Sequence, residues 1–153
     1  MNLFELSQNI GKINQNKVIS DSIKNVNEEL NGLTKDRMCK VYSSYVYNEL
    51  KKNHILARLI NTNDLGFDYE HQFILVPINK LTKDYYLIDL TYSQFVKNIE
   101  DEKIFTELLN KGYQKINNEL WIQYLKNILR NNNVNSSIDE AFNKEINNNR
   151  INL

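Results

Sequence analysis

The chain is poor in the residues that staple or interrupt small folds. Of 153 residues, one is cysteine, one proline and four glycine. A single cysteine excludes an intramolecular disulfide framework and a cysteine-rich zinc module, and it permits a cytosolic home. Neither sign of charge is in excess. Lys plus Arg and Asp plus Glu both number 19, for a formal net charge of zero, which excludes phosphate-backbone binding as a dominant role; no nucleic-acid partner is expected. Long hydrophobic runs are missing too. The longest uncharged apolar stretch lies around Phe73–Ile78, too short to span a bilayer. The N-terminal MNLFELSQNIGKINQN has no apolar core of signal-peptide length, and no lipidation signal stands at either end. The expected location is the cytoplasm, or export as an effector by a signal-peptide-independent route.

What is present is a globular composition, 41% hydrophobic and 25% charged, on a length that makes one domain over 1–153 and can bury a core unaided. The most skewed residue is asparagine, with 26 copies beside 15 Lys and 17 Ile, the imprint of an AT-rich genome. The clusters 131-NNNVN-135 and 147-NNN-149 read as solvated turn or tail, so a polar tail is expected over about 131–153. No internal repeat is visible.

Residues 3–30 read as one or two short helices, with one apolar stripe at Leu3, Phe4, Leu6 and Ile10 and a second at Ile19, Ile23, Val26 and Leu30. Asn31-Gly32 is a stop signal. Thr34 and Asp36 offer N-caps for a helix over 38–52 that carries Cys39 in its first turn, with Val41, Tyr45, Val46 and Leu50 near one face. The period then changes. Strands are expected over 54–61, 71–78 and 85–90, with a loop at 62–70 turning on Gly66 and a hairpin loop at 79–84. Pro77 places the second strand at an edge or marks its end. Helices are expected over 101–111, ending at Gly112, and over 118–130, with a short one at 138–147. The sum is an α+β fold with a mostly antiparallel sheet, a core over about 34–95 and helical flanks over 1–33 and 96–130.

The hairpin brings chemistry together. A loop centred near residue 80 pairs His71 with Asp89, Phe73 with Leu87 and Leu75 with Tyr85, and opposed residues share a sheet face. A slip of one residue would part the imidazole from the carboxylate. A carboxylate beside an imidazole fixes its tautomer and raises its basicity. Cys39 supplies the nucleophile that this pair lacks. A helix start, with Arg37 and Lys40 nearby, lowers a thiol pKa, and the free first-turn N–H groups can serve as an oxyanion hole. Cys39, His71 and Asp89 form a candidate thiol triad.

The segments 36-DRMCKVYSSYVYNEL-50, 57-ARLI-60, 71-HQFILV-76 and 86-YLIDLTYSQF-95 resemble the transglutaminase-like and papain-like cysteine enzyme superfamily over about residues 36–95. In that superfamily a Cys opens a helix, a His begins one strand and an Asp or Asn ends or follows the next. Ala57-Arg58 and Asp89-Leu90-Thr91 are similar to the transglutaminase-like branch. The resemblance implies a nucleophile-bearing helix packed on a small antiparallel sheet, with Cys39 as nucleophile, His71 as base and acid and Asp89 as orienting carboxylate. Met38 stands where the family has Gly, Lys40 where an aromatic is common and Leu90 where Pro is usual, while Phe73 matches the aromatic two residues after the His.

These readings imply a cysteine-dependent acyl-transfer enzyme acting on amide bonds of a peptide or protein substrate, as protease, glutamine deamidase or transglutaminase. Two alternatives stand beside it: an inactive relative that serves as a protein-binding module, and a thioester-dependent acyltransferase. No cofactor and no metal are expected, since Cys39, His54, His71 and Asp89 include no closely spaced ligand pair. Asn31 is the oxyanion candidate upstream, Tyr69 with Phe67 a candidate cleft lining, and Gln94 a candidate donor into the site. Simpler readings make Cys39 a buried small hydrophobe, His71 a loop-edge histidine and Asp89 an anchor for the turn 91-TYSQ-94. None of them accounts for the joint placement. His54 is a rival base, Trp121 reads as core, and Arg58 as a structural hydrogen-bonding residue.

Overall fold

Helix α1 runs unbroken over Leu3–Glu29. The computed structural model describes residues 3–35, 37–79 and 83–151. Ile19, Ile23, Val26 and Leu30 are all buried, as spacings of three and four require of a helix lying on a core. The stripe read at Leu3, Phe4, Leu6 and Ile10 lies outside the described side chains.

Helix α2 spans Cys39–Lys52 and buries Tyr42, Ser43, Val46 and Leu50. Tyr45, expected on that face, is 39% exposed; the inward stripe runs 42, 46, 50, one helical row away. The N-cap position falls four residues beyond Thr34. Met38 holds the N-cap position and offers no side-chain hydrogen bond, and Asp36 lies outside the described residues. Arg37, at φ 59°, turns the chain into the helix through the left-handed region.

Four strands form one antiparallel sheet in the order β1-β2-β3-β4, with β1 at Arg58–Asn61, β2 at Gln72–Asn79, β3 at Asp84–Ile88 and β4 at Tyr113–Ile116. Strand β1 is half the expected length, because His54 at φ 61° and the residues after it still turn the chain away from α2. Strand β4 was not anticipated from its four residues YQKI. Pro77 sits in an inner strand, not an edge strand. It is tolerated because β1 pairs no further than Leu75 and a bulge follows between Pro77 and Asn79.

The β2–β3 register differs from the expected one by two residues. Leu75 faces Leu87 and Pro77 faces Tyr85, where Leu75–Tyr85 was expected. An even shift leaves every side chain on its expected face.

The sheet is covered on both sides. Ile74, Val76 and Ile88 pack with α1 and α2. Phe73, Leu75, Leu87 and Tyr85 face α4 (Asn118–Leu129) and α5 (Ile138–Ile151), with Trp121, Tyr124 and Phe142. Each fully buried Leu or Phe in these layers contributes about 1.5–3 kcal/mol. The expected polar tail is largely α5, which contains the 147–149 asparagines. Ile138, Ala141 and Phe142, spaced by three and one, anchor it in the core. Asn117 caps α4 by accepting the Leu120 N–H at 3.0 Å. Helix α3, Thr106–Lys111, begins later than expected because 99–101 form a separate 3-10 turn. Among the described residues no helix is long and apolar enough to cross a membrane.

Candidate functional site

The site forms where β2 begins. Helix α2 lies on one face of the sheet, while His71 shares the opposite face with Phe73 and Leu75. They meet because Cys39 opens α2 and His71 stands just before Gln72, the first residue of β2. Ser43 Oγ donates to the Gln72 carbonyl at 3.0 Å and ties the first turns of α2 to this strand end. The Cys39 thiol stands beside the imidazole of His71 and the backbone N–H of Gln72, close enough for both to act on its charge.

Thr62 holds the main chain of His71 from both sides. Its hydroxyl accepts the His71 N–H at 2.9 Å, and its own N–H donates to the His71 carbonyl at 3.0 Å. The same hydroxyl donates to the Tyr69 carbonyl. Thr62 is fully buried, so no water replaces these partners.

The imidazole is 1% exposed, and its Nε2 lies 2.8 Å from Asp89 Oδ2. With Nε2–H donating to the carboxylate, Nδ1 is the nitrogen left for the thiol. Asp89 follows β3, and its backbone N–H donates to the Gly112 carbonyl at 3.0 Å. Its two oxygens divide the work. Oδ1 accepts the Thr91 N–H and hydroxyl, each at 3.1 Å; Oδ2 accepts His71 and, at 2.7 Å, the hydroxyl of Tyr124. Asp89 thus meets the turn through Oδ1 and the histidine through Oδ2.

Charge follows from these contacts. Burial pushes the Cys39 thiol up, but the hydrogen bonds with His71 and the Gln72 N–H, together with the imidazolium charge, outweigh it and leave the thiol below its usual value. Burial pushes His71 down; the Asp89 charge, its hydrogen bond and the Cys39 thiolate reverse this and lift the imidazole to about 9. Both shifts favour the thiolate–imidazolium form of the pair over the neutral one. Cys39 is half-buried while its two partners are buried, so of the three it alone keeps some exposure to the outside.

The rim is partly aromatic. Phe95 packs edge-on against His71 at a centroid distance of 4.7 Å, and Tyr69, half-exposed, packs edge-on against Phe95 at 6.1 Å. On the other flank Lys40, next to the nucleophile, pairs with Glu70, next to the histidine; Glu70 also accepts from Asn61 and Asn63.

The remaining sequence candidates separate. Tyr69 stands one ring from the histidine. Gln94 is a strut: its amide donates to Thr91 Oγ1 at 3.2 Å and accepts the Arg37 N–H at 3.4 Å, joining the carboxylate turn to the loop before Cys39. Asn31 lines a surface groove with Ser20, Lys24 and Lys111, away from the triad. His54 is exposed in the turn after α2. Among the described residues no three His, Cys, Asp or Glu side chains group as a metal would need.

Sequence reasoning missed Thr62 and Tyr124. Thr62 had no signal beyond its place in an expected loop. Tyr124 takes an apolar position of its helix by spacing, and its partner lies 35 residues away. Compared with known proteins, the chain matches no family model, no curated protein and no solved structure.

Proposed function

We propose that the chain is a cysteine-dependent acyl-transfer enzyme of the transglutaminase-like and papain-like kind, acting on amide bonds of peptides or proteins. One observation carries this reading: His71 is held between the Cys39 thiol and Asp89 Oδ2, with Nε2 on the carboxylate at 2.8 Å. A histidine needed only for packing gains nothing from a half-buried thiol beside its ring.

The reaction follows from the arrangement. The Cys39 thiolate attacks the amide carbonyl carbon and forms a C–S bond. The carbonyl electron pair moves to oxygen, and the first-turn N–H groups of α2, left without a side-chain cap, are the donors for that oxyanion. The intermediate collapses, the C–N bond breaks, and the imidazolium gives its proton to the leaving amine. Neutral His71 then takes a proton from water or from an acceptor amine, which attacks the thioester and releases Cys39. Asp89 keeps the ring oriented throughout.

The test uses an activated ester, which needs no knowledge of the natural substrate. Wild type mixed with p-nitrophenyl acetate at pH 7 should release a stoichiometric burst of p-nitrophenol and carry the acetyl group on Cys39 by peptide mapping. His71→Ala should lose the burst. An equal burst in both proteins, or none in a folded wild type, overturns the proposal.

A further inference from the structure

Tyr124 reaches the site from α4, on the far side of the carboxylate. Its hydroxyl lies 2.7 Å from Asp89 Oδ2, the same oxygen that accepts His71 Nε2. The ring is fully buried and packs against Phe73, Trp121, Tyr92 and Phe105. Such an aromatic cluster needs only the ring. A hydroxyl placed among apolar rings costs stability unless it is bonded, and here it bonds to the carboxylate of Asp89. Burial and the Asp89 charge hold the Tyr124 hydroxyl protonated well above the usual range, so it remains a donor wherever the thiol and imidazole titrate.

We propose that Tyr124 is a positioning residue that acts through Asp89: by donating to Oδ2 it shares the carboxylate's charge and limits how tightly His71 holds its proton. This deepens the acyl-transfer reading and rests on it for its purpose. An imidazolium locked to an unshared buried carboxylate is a poor acid toward a leaving amine, and a shared carboxylate releases the proton more readily. The titratable groups around the imidazole are Cys39 from α2, Asp89 after β3, Tyr69 and Glu70 from the loop before β2, and, behind Asp89, Tyr124 from α4 and Tyr92 from the 3-10 turn at Tyr92–Phe95. Glu70 is neutralised by Lys40. Tyr92 belongs to the same aromatic cluster, but its hydroxyl donates to Glu102 at 3.2 Å and accepts from Asn127 at 2.9 Å. It is therefore the natural control.

The experiment is an NMR titration of the His71 imidazole in the full chain, for wild type, Tyr124→Phe and Tyr92→Phe. Tyr124→Phe should raise the His71 midpoint by roughly half a pH unit or more, with no measurable shift in Tyr92→Phe. A role confined to packing predicts the same midpoint in all three proteins. Global replacement of tyrosine by 3-fluorotyrosine, a stronger donor, tests the same link without removing a side chain and should lower the midpoint. An unmoved or lowered midpoint in Tyr124→Phe, an equal rise in Tyr92→Phe, or an unmoved midpoint with fluorotyrosine overturns the proposal. The titration does not depend on thiol reactivity. A missing acyl burst with the midpoint shifts intact removes the enzymatic reading and leaves the Tyr124–Asp89–His71 coupling standing.

Discussion

His71 and Asp89 sit diagonally across the β2–β3 hairpin and still share a hydrogen bond of 2.8 Å between Nε2 and Oδ2. The ladder pairs Ile74 with Ile88 and Leu75 with Leu87, so its continuation places Asp89 opposite Phe73. Diagonal partners on one face are within reach when a side chain is long. The ring closes the gap because Thr62 fixes the backbone of His71 while the Gly112 carbonyl and Thr91 fix Asp89. The bond thus depends on anchors outside the hairpin, and these anchors make predictions.

Asp89→Asn keeps the size of the side chain and removes its charge. If the amide oxygen stays on Thr91, the amide nitrogen faces Nε2 and the Tyr124 hydroxyl as a donor, which turns the imidazole to the wrong tautomer. Acyl transfer should fall on the order of 100-fold or more, and the His71 midpoint should drop toward its ordinary value of 6.5. Burst kinetics and the NMR titration check the two parts separately.

Thr62→Val is nearly isosteric and deletes the hydroxyl that accepts the His71 N–H. A buried N–H is left without that partner, at a cost of about 1–3 kcal/mol. Urea unfolding should show this loss, and the acyl burst should slow in the same variant because the histidine loses its anchor.

Gly112→Ala tests the support beneath Asp89. Gly112 has φ 85°, and a Cβ there would meet Leu90 Cδ1 at 3.2 Å and Ile23 Cγ2 at 3.4 Å. Strain in the left-handed region and this contact together should cost about 1–3 kcal/mol. Because the Gly112 carbonyl holds the Asp89 N–H, the variant should also show a displaced His71 imidazole resonance.

Linkage gives a sign for Cys39→Ala. In wild type the lowered Cys39 contributes stability that grows as the pH rises, opposite in sign to the raised His71, so the two contributions offset in part. Without the thiol, only the raised His71 remains, still held up by Asp89. Its contribution is complete below pH 6.5 and is lost as the pH rises through the folded value. The urea midpoint of Cys39→Ala should decline from pH 6.5 toward 9, more steeply than that of wild type; a flat or rising profile contradicts this reading of His71.

Much of the site was legible because it is local. Cys39 at a helix start and two hairpin residues of matching parity are properties of short segments, and a two-residue register error could not part His71 from Asp89. Elements whose identity depends on distant packing were not legible. Strand β4 exists because β3 has a free edge for Tyr113–Ile116, and α5 persists through an asparagine run because Phe142 and Ala141 are buried against the sheet layer. Met38 takes the N-cap position despite its chemistry because Gln94 holds the preceding loop through the Arg37 N–H. Tyr124 illustrates the same limit inside the site. Its sequence neighbours mark it as core, and only the folded chain brings its hydroxyl to Asp89.

The most direct test of the central claim is the pH profile of Cys39 alkylation by iodoacetamide in wild type and His71→Ala. Stabilisation of the thiolate by His71 predicts that wild type reacts well below the pH range of a free thiol, about 8.5, and that His71→Ala returns the profile to that range or above it. Coincident profiles in the two proteins, or a wild-type thiol that reacts only on unfolding, would contradict the triad.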